Sequence, residues 1–186
     1  NILVPINAQK GDDLPVSAFT GMADGTMPLG TSQYEQRGIA THLPVWDKDE
    51  CIQCNRCSFV CPPAVLRPYL LNEDEVRNAP AGLELTAAKG PQLAGLQFTM
   101  GVSTLDCTSC GSCVASCPKS GKALRMVPAH EVSLDQTNWS YLQTIPEKNA
   151  RYDKFTLKGS QFRQPLVEFN GACAGCGDTP YIKLQT

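Results

Sequence analysis

The sequence predicts an α+β fold organised around bound cofactors more than around an apolar core. Three observations carry this. Eight of the ten cysteines form two copies of one pattern, C-x2-C-x2-C-x3-C-P, at Cys51, Cys54, Cys57, Cys61, Pro62 and at Cys107, Cys110, Cys113, Cys117, Pro118. Aromatic residues are only 7% of the 186, while glycine and proline number 15 and 14, so core formers are few and turn formers many for this length. The periodic stretches are short, with strand-like alternation before each cysteine motif and single helical turns within them.

From the N-terminus, residues 1–37 carry the turn signals Gly11-Asp12-Asp13, Ala23-Asp24-Gly25 and Pro28-Leu29-Gly30 with little periodicity. They predict an irregular, extended lead-in, which with its continuation to residue 44 would follow a preceding domain. Residues 38–46 alternate, Ile39, Thr41, Leu43 and Val45 against Ala40, His42 and Trp46, as a strand would. Pro44 has no N–H to donate and confines that strand to a sheet edge. Within the motifs, Cys57/Cys61 and Cys113/Cys117 are i,i+4 pairs, so a helical turn over 56–60 and another over 112–116 would join them. Pro62 with Pro63, and Pro118, stop each turn. Residues 67–106 separate the motifs by more than a compact domain needs and should carry structure of their own. A helical turn over 73–78 ending at Pro80, and a strand over 96–102, are expected there. After the second motif, 135–142 predicts an amphipathic helix with Trp139 and Leu142 on one side, ended by Ile145-Pro146. The polar stretch 147–164 reads as a linker or wrapping arm. The division is therefore 1–44, 45–130, 131–166 and 167–186.

Three thiolates within seven residues suit corners of one iron–sulfur cubane, and a fourth set before proline projects toward a second cluster. The ligand sets then cross. One 4Fe-4S cluster is assigned to Cys51, Cys54, Cys57 and Cys117, the other to Cys107, Cys110, Cys113 and Cys61. This is the pattern of a bacterial two-4Fe-4S ferredoxin-like domain, here over 45–130 with an insertion. Thr108, Ser109, Gly111 and Ser112 are small enough to bring backbone N–H groups to the sulfurs. Phe59, Val60, Val65, Val114 and Ala115 are expected as an apolar jacket. Zinc would need four ligands in separated pairs, not a third cysteine in register with a Cys-Pro end. Disulfides would need an oxidising compartment, and residues 1–10 do not resemble a secretory signal.

Charge narrows the partners. The formal net charge is −2 with every thiol neutral. Eight thiolates around two clusters add roughly −4, taking the loaded chain to about −6. An anionic relay fits neither nucleic acid nor a membrane surface, and no apolar stretch is long enough to span a bilayer. Clustered thiolates at this density place the chain in the reducing cytoplasm. His42 and His130, without a partner motif, read as structural or surface residues. Trp46 and Trp139 read as packing residues, Trp46 with a second reading as a shield between a cluster and water. Lys119 and Lys122 read as a solvated pair, with balancing of the second cluster's charge as the other reading.

Cys173 and Cys176 remain, in Gly171-Ala172-Cys173-Ala174-Gly175-Cys176-Gly177. Two thiolates cannot hold a cubane. A dithiol redox pair, half a zinc site, packing cysteines, and two ligands of a third cluster completed from outside the chain all stay open at this point. The last reading, with the missing initiator methionine, makes the chain a segment of a longer polypeptide.

The chain resembles the single-chain pyruvate:ferredoxin oxidoreductases, or pyruvate synthases, over nearly its whole length. The resemblance rests on Leu14-Pro15-Val16-Ser17-Ala18-Phe19, Asp24-Gly25-Thr26, Tyr34-Glu35-Gln36-Arg37-Gly38-Ile39-Ala40, both cysteine motifs, Lys158-Gly159-Ser160-Gln161-Phe162 and the 171–177 turn. It implies that 167–186 opens a thiamin diphosphate domain, with Cys173 and Cys176 giving two ligands to a third, inner 4Fe-4S cluster. Asp178 stands where the family usually has Glu. It further implies oxidative decarboxylation of pyruvate with coenzyme A, using thiamin diphosphate and Mg2+ held elsewhere in a homodimeric enzyme. Electrons would leave through three clusters to ferredoxin or flavodoxin. An independent two-cluster carrier, and the same segment of a sister enzyme for another 2-oxoacid, are the alternatives.

Overall fold

The computed structural model describes residues 2–26, 30–119 and 121–185, so Pro28 and Leu29 of the third turn signal lie outside them. Residues 1–31 form a small compact unit of their own, and 32–186 form the larger one. The small unit is not extended: it has a helix, α1 (Leu3–Asn7), and 3-10 turns at Gly11–Asp13 and Val16–Met22.

The larger unit is α+β, with two small antiparallel sheets. Strand β1 (His42–Trp46) pairs with β5 (Leu124–Pro128), Trp46 opposite Leu124. Pro44 sits in this two-stranded ribbon, where its lack of an N–H costs no central ladder bond. The second sheet has the order β2 (Leu66–Leu71), β4 (Gln97–Val102), β3 (Thr86–Ala87). The 96–102 alternation marked a real strand, but Phe98, Thr99, Met100 and Gly101 are all buried. As the middle strand, β4 is covered on both faces.

Helix α3 (Glu73–Arg77) occupies the predicted turn and opens on a reciprocal cap, Glu75 N–H to Asn72 Oδ1 at 2.9 Å and Asn72 N–H to Glu75 Oε2 at 2.7 Å. Helix α5 (Thr137–Gln143) buries Trp139 and Leu142, the two residues expected inside. It closes on β4 at Gly101, where a β-carbon would meet Leu142 at 2.8 Å and Tyr69 at 2.9 Å. The stretch 147–164 is a wrapping arm with a core role. Phe162 stands edge-on to Phe98 at 6.3 Å and tilts against Tyr152 at 5.2 Å. Strands β2 and β5 were not expected from the sequence; Arg67 and Pro68 interrupt the apolar run of β2.

Candidate metal centre

Each cysteine motif begins where a strand has just ended. β1 runs out at Trp46, and Asp47 accepts the Asp49 N–H at 2.9 Å in the turn before Cys51. β4 ends at Val102, and Asp106 accepts the Ser103 hydroxyl at 2.5 Å just before Cys107. The two loops that follow are conformational copies. Gln53 (φ 58°) and Asn55 (φ 62°) are left-handed in the first, Ser109 (φ 57°) and Gly111 (φ 74°) in the second. Three of these four carry a side chain, so the conformation is held against a cost of about 1 kcal/mol or more at each. It turns the N–H groups inward: Gln53 N–H donates to Cys51 Sγ at 3.3 Å and Ser109 N–H to Cys107 Sγ at 3.4 Å. Single helical turns α2 (Arg56–Phe59) and α4 (Ser112–Ala115) follow and pack on each other, as the i,i+4 spacing predicts.

Side chains outside the motifs hold the first loop. Gln53 Nε2 donates to Ala87 O at 2.8 Å while its Oε1 accepts the Lys89 N–H at 2.7 Å. Asn55 Nδ2 donates to Lys158 O at 2.9 Å, and Ser58 Oγ to Gln161 Oε1 at 3.2 Å. The Lys158–Phe162 stretch therefore secures the first motif from about a hundred residues away. Helix α6 (Leu157–Ser160) presents that surface.

A cavity is bounded by Cys51, Cys54, Cys57 and Cys117, with Trp46, Met100 and Leu124 in its wall. These cysteines come from both motifs. Burial pushes the Cys57 thiol up to about 12, and the charges of Cys51, Cys54 and Cys117 push the same way. On the other side burial raises Cys107 to about 12, with Cys61 and Cys110 adding to it against the opposing Ser109 N–H. Cys113 is raised by burial first and then by Cys61, Cys107, Cys57 and Cys110. Cys61 is raised by burial, opposed by the Val65 and Leu66 N–H groups. All ten cysteines are free thiols. Among the described residues no three His, Cys, Asp or Glu are grouped tightly enough to hold a single metal ion. Partly buried thiols of both motifs around one space, with an N–H of each loop turned to a sulfur, suit thiolate ligation of a polynuclear iron–sulfur core.

The remaining expectations meet the structure as follows. Val65 is buried and Phe59, Val60 and Val114 partly so, but Ala115 is exposed and jackets nothing. Trp46, Met100 and Leu124 do that work; spacing put Met100 on the apolar side of the 96–102 strand without placing it beside the cysteines, and it did not mark Leu124. Lys119 is exposed and borders the first-motif cavity, not the second cluster's thiols. Trp139 packs edge-on against Tyr69 at 6.5 Å and Phe169 at 6.3 Å, a packing role. His42 and His130 are exposed. Cys173 is exposed and Cys176 partly buried. The Cys176 thiol is lowered by N–H groups of Thr179 and Asp178 at the start of α7 (Thr179–Gln185). Their turn is tied to the second motif: Gly175 N–H donates to Thr108 O at 2.8 Å, and Arg37 Nη2 donates to Ala172 O at 2.6 Å.

Residues 50–124 match the family described as a 4Fe-4S dicluster domain. Residues 1–40 match EKR, described as a domain of unknown function. The whole chain is 52% identical, over 186 residues, to the pyruvate:ferredoxin oxidoreductase of Moorella thermoacetica. It is 52% identical over 190 residues to the pyruvate-flavodoxin oxidoreductase of Enterobacter agglomerans. It is 48% identical over 187 residues to a protein of Cryptosporidium parvum named pyruvate dehydrogenase (NADP+). The match takes in 16% of the length of the first two relatives and 10% of the third. The two cysteine loops, the arm that secures the first of them and these matches over the whole of this chain agree, and the chain belongs to the pyruvate:ferredoxin and pyruvate-flavodoxin oxidoreductase family.

Proposed function

We propose that this segment is the electron relay of an enzyme that oxidatively decarboxylates pyruvate with coenzyme A to acetyl-CoA and CO2. The observation that carries the relay is the cavity bounded by Cys51, Cys54, Cys57 and Cys117, three thiols of one motif and the last of the other. It supports the crossed assignment of two 4Fe-4S clusters, the second on Cys107, Cys110, Cys113 and Cys61. When bound, such clusters supply one-electron carriers. The protein's own part is to donate N–H groups from Gln53 and Ser109 to the thiolates and to exclude water with Trp46, Met100 and Leu124.

Cys173 and Cys176 are proposed as two ligands of a third, inner 4Fe-4S cluster. The Gly175–Thr108 hydrogen bond supports an order of inner cluster, second-motif cluster, first-motif cluster. Electrons then leave beside Cys51, where Ile52 is exposed and Lys89 Nζ donates to Cys51 O at 2.7 Å. Thiamin diphosphate and Mg2+ are proposed for other parts of a homodimeric, cytoplasmic enzyme, and ferredoxin or flavodoxin for the acceptor. The division at 1–44, 45–130, 131–166 and 167–186 belongs to the same reading.

The test is iron and acid-labile sulfide analysis with Cys61→Ala. This segment should bind about 8 iron after anaerobic reconstitution. Cys61→Ala should damage the cluster of Cys107, Cys110 and Cys113 and spare that of Cys51, Cys54 and Cys57. Two to four zinc without sulfide, or damage confined to the first-motif cluster, would overturn the assignment.

A further inference from the structure

Among the described residues only two buried side-chain polar atoms lack a hydrogen-bond partner, Trp46 Nε1 and Asn55 Oδ1. Both residues stand in the wall of the cavity bounded by Cys51, Cys54, Cys57 and Cys117. A buried indole N–H with no acceptor costs about 1–3 kcal/mol, and such an orphan calls for a specific reason. Trp46 ends β1 opposite Leu124, and its ring packs edge-on against Phe98 with centroids 5.9 Å apart. That placement is locked by pairing and packing, and among the described residues no acceptor meets the N–H. Indole is a donor only, so whatever satisfies it must be an acceptor. Asn55 differs: its Nδ2 is spent on Lys158 O, and the leftover Oδ1 is itself an acceptor, which an anionic group would not satisfy.

We propose that the Trp46 indole N–H is a hydrogen-bond donor to a sulfur of the iron–sulfur cluster held by Cys51, Cys54, Cys57 and Cys117, and that it sets the potential of that cluster relative to its neighbour. This rests on the crossed ligand assignment above. A donor aimed at a cluster sulfur stabilises the reduced, more negative state and raises the potential. The contact would be one-sided. The second tryptophan, Trp139, is committed to Tyr69 and Phe169 in the α5 packing. The second-motif loop has backbone N–H donation from Ser109 but no tryptophan of this chain beside it. In the proposed order of transfer the first-motif cluster is the exit, so a raised potential there draws electrons outward.

The experiment uses the full-length, cluster-loaded enzyme under anaerobic conditions. Pulsed EPR on enzyme grown with indole-15N tryptophan should show a nitrogen-15 coupling on the reduced first-motif cluster. Trp46→Phe keeps an aromatic ring against Phe98 but removes the donor. It should abolish that coupling and move the midpoint potential of this cluster to more negative values, leaving the second-motif cluster unchanged. Absence of the coupling in the unaltered enzyme overturns the proposal even if Trp46→Phe fails to retain iron. A loaded Trp46→Phe enzyme whose potential is unchanged or more positive overturns it as well, since loss of mere shielding admits water and shifts the value the other way. Cys117→Ala separates the premises. If it spares the first-motif cluster, the ligand assignment fails, whatever the indole does.

Discussion

Arg67 is the residue on which the turn out of the first motif depends. It is buried in β2, donates from Nε to Ala64 O, pairs with Glu168, and lies over the rings of Trp139 and Phe169 at 5.4 and 5.2 Å. Ala64 has φ 52°, so the guanidinium holds a left-handed alanine in place just after Cys61-Pro62-Pro63. The motif thiols make a prediction about pH. In the metal-free protein burial raises Cys57 and Cys107 from about 9 to about 12, so both are neutral at physiological pH. A thiol whose pKa is higher folded than unfolded favours the fold fully below pH 9, and this contribution is lost as pH rises toward 12. Metal-free protein kept reduced should therefore lose stability to denaturant steadily across that window. Loaded protein should not follow this curve, because its thiols are already ionised on iron. Denaturant titrations at pH 8, 9 and 10 check both.

Helix α6 shows what an element of one turn can do. Thr156 Oγ1 accepts the Gly159 N–H at 3.1 Å and caps it, and a β-carbon on Gly159 would stand 1.9 Å from the carbonyl oxygen of Asp153. No small shift relieves an overlap with backbone, so only glycine fits. Because Lys158 O and Gln161 hold Asn55 and Ser58, a displaced α6 releases the first cysteine loop. Gly159→Ala is expected to destabilise the protein by about 2–3 kcal/mol. It should also cause earlier loss of iron from the first-motif cluster than from the second. Chemical denaturation gives the first quantity and cluster-resolved EPR during chelator challenge the second.

At the scale of the whole molecule, two small sheets and a wrapping arm arrange cysteines from three separate stretches. The Cys173/Cys176 turn lies against the second motif through Gly175 and Thr108, and Arg37 steadies it through Ala172. In the full enzyme Cys173→Ala or Cys176→Ala should remove the inner cluster and spare the two outer ones. Pyruvate binding should persist, while steady reduction of the acceptor falls by orders of magnitude. Iron counts with stopped-flow acceptor reduction decide it. A variant with full iron and normal turnover would make these two packing cysteines.

The sequence by itself determined the two cysteine motifs, the single helical turns α2 and α4, the strands β1 and β4, and the buried side of α5. All of these are short-range consequences of residue spacing, where chemistry and helical or strand period act over fewer than about ten residues. Tertiary structure alone decided the rest. β2 and β5 were hidden because Arg67 and Pro68 break one apolar run, and because β5 becomes a strand by pairing with β1 some eighty residues earlier. The arm looked like a linker since its partners Asn55 and Ser58 lie 103 residues away. Trp46 and Lys119 border the first-motif cavity because the fold brings Cys117 across to Cys51, Cys54 and Cys57. Such pairings are selected by packing and by hydrogen bonds between distant groups, and local periodicity contains no term for them.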